Sequence, residues 1–258
     1  MADCINPILA YTTRSGNFVA GLFTWINEVA IGLVEMVHRG VFCCVKTSQN
    51  GENKVLLSGG DQDQLFYGRS SMKFVQILPL IESGAAEHFG FSDEELAVMC
   101  SSHNAEQRHL DTVRSILSKA VCVYTLCLFP GFIMSLDMEF FVQGLQETDL
   151  ACGGHTPVSE AAAFEYVRKG APTPFKDHIY NNCSGKHAAF LALSKYLGAP
   201  TASYLQAHHP VQQRIIDTIC DFFGLERDKL HVGVDGCRWL CIHLRVLIAV
   251  CSMNPMYV

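Results

Sequence analysis

No stretch of this chain supplies the roughly 20 clean apolar residues that a membrane-spanning helix needs. The nearest are residues 17–36, interrupted by Asn27 and Glu28, and residues 121–133, which contain Pro130 and run on to Asp137 and Glu139. Long Lys or Arg runs are missing as well, and the net charge is −6, so neither a nucleic-acid backbone nor an anionic membrane surface is an expected partner. There is no internal repeat and no low-complexity tract. A signal peptide is not expected either, since Asp3 lies at the N-terminus and Arg14 leads into Ser15-Gly16 rather than into an apolar core. Without such a leader, the twelve cysteines read as reduced thiols of a cytoplasmic protein rather than as a disulfide framework. With 258 residues, 49% hydrophobic and 17% charged, the chain can fill one good core or two small ones, and small molecules are its expected ligands.

The pattern of elements predicts an α+β fold. Residues 41–57 read as a hairpin, because β-branched and apolar residues flank Gln49-Asn50-Gly51-Glu52 and Asn-Gly is a strong turn signal. Helical spacing follows over 71–81, with Pro79 expected to bend or end it. Ser92-Asp93-Glu94-Glu95 has the pattern of a capping box, and a further helix is predicted over 105–119. Pro157 and Ser159 open a helix that Gly170 ends. Ser184 is expected to cap a helix over 185–197, and Pro210 to start one over 211–223 that Gly224 closes. The apolar run 230–234 fits a strand that delivers Asp235 and Cys237 to a loop. His208-His209 is read as a surface feature.

Three clusters could carry chemistry. Ser70 and Lys73 are three positions apart, so on one helix their heads can meet, and a lysine made neutral by burial could take the serine proton. The same pair could equally be two exposed polar residues. Cys183 stands just before a helix N-terminus with Lys186 in its first turn, and Cys237 could join them; two thiolates, a nitrogen and a water would make a tetrahedral zinc site with one open position. Against this, Cys183 could be a small buried apolar residue and Lys186 a solvated charge. Cys100-Ser101-Ser102-His103-Asn104-Ala105-Glu106 suits substrate binding, and it also has the composition of an ordinary polar connection between helices.

Together these stretches resemble the L-asparaginase II family, the zinc-containing asparaginases with paired serine-lysine tandems. The likeness rests on Asn6-Pro7-Ile8-Leu9-Ala10, Val37-His38-Arg39-Gly40, Arg69-Ser70-Ser71-Met72-Lys73, Glu82-Ser83-Gly84-Ala85-Ala86, Cys100-Ser101-Ser102-His103, Cys152-Gly153-Gly154-His155, the seven residues from Asn181 to His187, and Asp235-Gly236-Cys237. It implies an antiparallel sheet packed with helices, as in serine β-lactamases and glutaminases, and hydrolysis of the side-chain amide of L-asparagine to aspartate and ammonia. By this resemblance Ser70 is the nucleophile, Lys73 its base and Ser102 the serine of the second tandem. Arg69, His103, His187 and Asp235 would bind substrate, and Cys183, Lys186 and Cys237 would hold one zinc ion per chain. A homodimer is also implied. Action on glutamine or a β-lactam, or a zinc-binding fragment without catalysis, are the competing readings.

Residues 17–32, 121–143 and 238–258 depart from the family pattern and are expected to be intron-like segments. With no lysine after Cys237, the second tandem is expected to be incomplete and the domain truncated at its C-terminus.

Overall fold

The computed structural model describes residues 8–13, 18–20, 34–47, 53–121, 144–170, 175–237 and 240–245, and for 8–13, 18–20, 34–39, 47 and 240–245 the backbone alone. Of the segments expected to lie outside the family, 17, 21–32, 122–143, 238–239 and 246–258 fall outside the described residues. The chain divides into two units, Met1–Tyr67 with His243–Val258, and Gly68–Ile242.

The first unit is built from strands. β1 (Ile8–Thr13) is the middle strand of an antiparallel three-stranded sheet, flanked by β2 (Phe18–Ala20) and β3 (Val34–Arg39). β4 (Phe42–Thr47) and β5 (Asn53–Gly59) form the predicted hairpin, with Phe42 opposite Gly59. The Asn-Gly turn of that hairpin falls outside the described residues. β6 (Leu65–Tyr67) pairs antiparallel with residues 243–245.

The second unit is mainly helical. A 3-10 turn, Arg69–Met72, leads into α1 (Lys73–Glu82), followed by α2 (Ala85–Phe89), α3 (Asp93–Cys100) and α4 (Gln107–Lys119). Then come α5 (Glu160–Arg168), α6 (Ser184–Tyr196) and α7 (Pro210–Phe223). β7 (Val232–Val234) pairs antiparallel with the first half of β8 (Leu240–Arg245), Val234 opposite Leu240, so Asp235, Gly236 and Cys237 lie in the connection of a hairpin. The α+β expectation holds at this level; the strands form small separate antiparallel sheets. Among the described residues no helix is long and apolar enough to cross a membrane.

α6 forms the core of this unit. Its residues from Ser184 to Ser194 are all buried, and it packs against α1, α2, α3, α4 and α7. A helix apolar on every side is stable only when other helices cover every side. Its N-terminus meets the C-terminal end of α3 so closely that a Cβ on Gly185 would lie 2.5 Å from the carbonyl oxygen of Val98. Only glycine fits there, and the segment before the helix meets the one after α3: the His103 N–H donates to Asn182 O at 3.2 Å.

Local signals decided most helix ends. Ser92 and Glu95 form the predicted capping box, Ser159 caps α5 by accepting from the Ala162 N–H, and Gly224 closes α7 at φ 60°. Three details differ. Pro79 lies inside α1, where the tight packing of α1 against α6 and α7 outweighs the lost hydrogen bond. Ser184 is the first residue of α6 rather than its cap; its hydroxyl donates to Ile179 O at 2.9 Å. His209 is buried rather than on the surface: its Nδ1 accepts from the Val211 N–H at 3.3 Å as the cap of α7, and its Nε2 meets Pro200 O at 2.8 Å.

Candidate functional site

The Gly68–Ile242 unit holds a cavity of about 400 Å3 lined by Arg69, Ser70, His155, Asn181, Asn182, Cys183, Asp235, Gly236 and Cys237. Five of the residues singled out in the sequence therefore meet there: Arg69, Ser70, Cys183, Asp235 and Cys237. Lys73 and Lys186 are fully buried beside it. His103 and His187 are not among the lining residues.

Ser70 is exposed in the 3-10 turn, immediately after Arg69, whose φ is +45°. A left-handed backbone at a residue with a Cβ costs about 1–3 kcal/mol and tends to occur where function requires it. The 3-10 turn ends in a hydrogen bond from the Lys73 N–H to Ser70 O, so the serine sits one turn ahead of the lysine at the head of α1.

The Lys73 ammonium donates to Ser101 O at 2.6 Å, to Ser102 Oγ at 2.9 Å and to Asn182 O at 3.3 Å. The Cys183 side chain is a further hydrogen-bond partner, and the Ser70 hydroxyl is not among these partners. Burial drives the Lys73 pKa below its ordinary value, against the pull of the Cys183 charge and with help from the Lys186 charge. Ser102 itself is exposed, so a buried amine backs an accessible hydroxyl.

A hydrogen bond from Cys237, with the charges of Lys186 and Lys73, lowers the Cys183 pKa to about 5 against the cost of burial. The same contact, together with burial, pushes Cys237 up. Lys186 Nζ lies 3.2 Å from Cys237 Sγ and 3.9 Å from Asp235 Oδ2. Asp235 Oδ1 accepts from the Cys237 N–H at 3.0 Å and lies 3.0 Å from its sulfur, which shapes the hairpin connection as an Asx turn. The solvated-charge reading of Lys186 does not hold. Two sulfurs and one amine converge, so Cys183, Lys186 and Cys237 could hold a thiophilic metal once the amine gives up its proton. Among the described residues, no group of three or more His, Cys, Asp and Glu side chains is placed to do so.

Both expected substrate-binding histidines are internal. His103 Nδ1 accepts from the Ala105 N–H at 3.1 Å, so its Nε2 carries the proton and donates to Ser184 Oγ at 2.8 Å. Burial, then the His109 and Lys73 charges, lowers its pKa to about 4 and keeps it neutral. It braces Ala105, whose φ is +59°, and the start of α6. Tyr204 accepts from the Ala151 N–H at 2.8 Å and gives its own proton to His187 Nδ1 at 2.8 Å. The proton of His187 is then on Nε2, which is buried and has no partner among the described residues, and burial holds the ring's pKa well below its ordinary value.

The cavity also contains residues to which the sequence assigned no role. Asn181 donates to Cys152 O at 3.0 Å and Gly153 O at 2.9 Å and accepts from the Cys183 N–H at 2.8 Å. His155 faces Asn182. Both lie inside motifs visible in the sequence, and what hides their role is that they act across about 28 residues of chain.

An α+β protein in which one small polar cavity presents an exposed serine and a thiol of lowered pKa, with a buried lysine beside it, is suited to acyl chemistry on a small molecule. The family model for L-asparaginase II matches residues 29–125 and 141–248, and the chain belongs to that family. The unmatched residues 126–140 fall within the segment 121–143, whereas 29–32 and 238–248 lie inside the match. Membership suggests an asparaginase-type amidohydrolase with a small-molecule substrate. No curated protein matches the chain.

Proposed function

We propose that this chain hydrolyses the side-chain amide of L-asparagine to L-aspartate and ammonia. The observation that carries the reading is the buried Lys73 amine, 2.9 Å from Ser102 Oγ, beside a cavity that presents Ser70. Ser70 attacks the amide carbon, and Lys73, its charged form disfavoured by burial, takes the proton, with Ser102 as the hydroxyl in contact to relay it. The same proton then leaves with ammonia, and water releases the acyl group from Ser70. Asp235 accepts from the substrate's α-ammonium, and Arg69, on the same cavity, pairs with its α-carboxylate. We read the fold, with a Ser-x-x-Lys turn heading a core helix, as serine β-lactamase- and glutaminase-like.

Zinc is proposed as the cofactor, held by Cys183, Lys186 and Cys237. When bound it would supply a positive charge that orients the substrate. The thiolate state of Cys183 supports this assignment, and a reducing compartment such as the cytoplasm suits a site built on thiols.

The test is ammonia release from L-asparagine by the full chain, with L-glutamine and a β-lactam as competitors and bound metal measured in parallel. Lys73→Ala should lower kcat by about 10²–10⁴-fold with the circular dichroism spectrum intact. Turnover retained in that variant would overturn the assignment of Lys73, and preferred turnover of glutamine would move the specificity. Stoichiometric zinc without ammonia would favour the non-catalytic reading.

A further inference from the structure

The motif Cys152-Gly153-Gly154-His155 takes no part in the chemistry proposed above, yet it is bound tightly to the segment that carries Cys183. Gly153 has φ +77°, and a Cβ on Gly154 would lie 2.5 Å from Phe175 O, so the two glycines let this loop lie flat on the chain at 175–176. The Cys152 thiol donates to His178 O at 3.3 Å, and the carbonyls of Cys152 and Gly153 both receive the Asn181 amide. His155 completes the clasp. Its Nδ1 donates to Thr156 O at 2.6 Å, which places the ring proton on Nδ1 and leaves Nε2 as an acceptor. That acceptor takes the backbone N–H of Asn182 at 3.0 Å; the Asn182 side-chain oxygen, 3.1 Å from the same nitrogen, is itself an acceptor and adds no bond.

Asn182 is where this clasp meets the reacting groups. Its carbonyl oxygen accepts from Lys73 Nζ and also, at 3.2 Å, from the His103 N–H. His155 lines the cavity, but both ring nitrogens are engaged with the chain, which leaves it no free site to exchange a proton with substrate. We propose that His155 is a positioning residue: by gripping the Asn182 amide it fixes the Asn182 carbonyl, and through it the place of the Lys73 amine beside Ser102. A misplacement of about 1 Å in such a group lowers turnover by about 10²-fold without weakening substrate binding.

The catalytic half of this inference rests on the proposed asparaginase reading; the structural half does not, and the experiment separates them. Wild type, His155→Ala and His155→Gln are compared by amide hydrogen exchange and by kcat and KM for L-asparagine. Gln carries an acceptor oxygen that can reach the Asn182 N–H. In His155→Ala the amides of Asn182 and His103 should exchange together at least about tenfold faster, kcat should fall about 10–100-fold, and KM should stay within about twofold. His155→Gln should recover most of both effects. Faster exchange at Asn182 with His103 unchanged would overturn the inference, because the carbonyl that Lys73 uses would then be held by something else. A KM effect without a kcat effect would make His155 a substrate contact instead. Should wild type release no ammonia, the asparaginase reading fails, and the paired exchange of the two amides still decides whether His155 holds Asn182.

Discussion

Two clusters of buried charge in the helical unit are built from similar parts and reach opposite outcomes. Between α3 and α4, Glu95 accepts from the Ser92 N–H at 2.7 Å, Ser115 Oγ at 2.6 Å and Lys119 Nζ at 2.7 Å. Burial works against its charge, but the bonds from Lys119, Ser115 and Ser92 together outweigh burial and hold its pKa below the ordinary value. Around the cavity, Lys73 has three neutral acceptors, the Cys183 charge pulling its pKa up and Lys186 as a like-charged neighbour, and there burial outweighs Cys183 and the amine is pushed toward its neutral form. The first cluster is arranged to keep its charges and the second to be able to give one up. That difference separates a structural ion pair from a site poised for proton transfer.

The largest expected consequence lies in the thiols. Cys152 and Cys183 are both buried, but Cys183 is held at about 5 by the Cys237 thiol and the two lysines, whereas burial raises Cys152 to about 12. After removal of metal with a chelator, iodoacetamide at pH 7 should label Cys183 at least about 100-fold faster than Cys152, read by peptide mass spectrometry. Labelling of Cys183 should fade as the pH falls through about 5. Cys237→Ala should move that midpoint upward, because the donor that stabilises the thiolate is gone. Equal rates for the two thiols would mean that Cys183 is not held as a thiolate beside the lysines.

The structural cluster gives a smaller and oppositely directed effect. Glu95→Gln keeps one acceptor oxygen for the Ser92 N–H and reverses the contact with Ser115, its NH2 donating to the hydroxyl, but loses the charge pair with Lys119, which is about one-third exposed, so the expected cost is about 1–2 kcal/mol in urea unfolding. Because the folded-state pKa of Glu95 is depressed, its contribution is complete above the ordinary value of 4.5 and is lost as the pH falls through the lower folded value. The urea midpoints of wild type and Glu95→Gln should therefore separate at neutral pH and converge in acid.

How much of this was legible in the sequence follows from chain distance. The Glu95 capping box, the Ser159 cap and the end of α7 at Gly224 depend on neighbours within a few residues, and the sequence pattern predicts each of them. Ser70, Cys183 and Asp235 were found because each sits in a compact motif. The sequence raised a meeting of Lys186 with Cys237 across 51 residues only as one possibility, and it could not show that Lys73 reaches Ser102 across 29 residues and Asn182 across 109. Those contacts are set by the packing of α6 against α1 and α3. The same limit explains His103 and His187: imidazoles beside reactive motifs suggest substrate contacts, but burial made them braces, and only tertiary structure distinguishes the two roles.

The finest test exchanges the logic of the clusters. If burial of Lys73 serves chemistry and not stability, replacing it with an apolar side chain of similar length should cost little, because the desolvation it suffers disappears with it. Lys73→Met leaves Ser101 O without the amine, but Asn182 O keeps its bond from the His103 N–H and Ser102 remains exposed. The expected change in unfolding free energy is within about 1 kcal/mol of wild type, measured by urea titration at neutral pH, and with either sign it should be less destabilising than Glu95→Gln. A loss larger than that of Glu95→Gln would mean that the three bonds of Lys73 hold α1, α3 and the start of α6 together, and the amine would then be a structural clasp first and a base second.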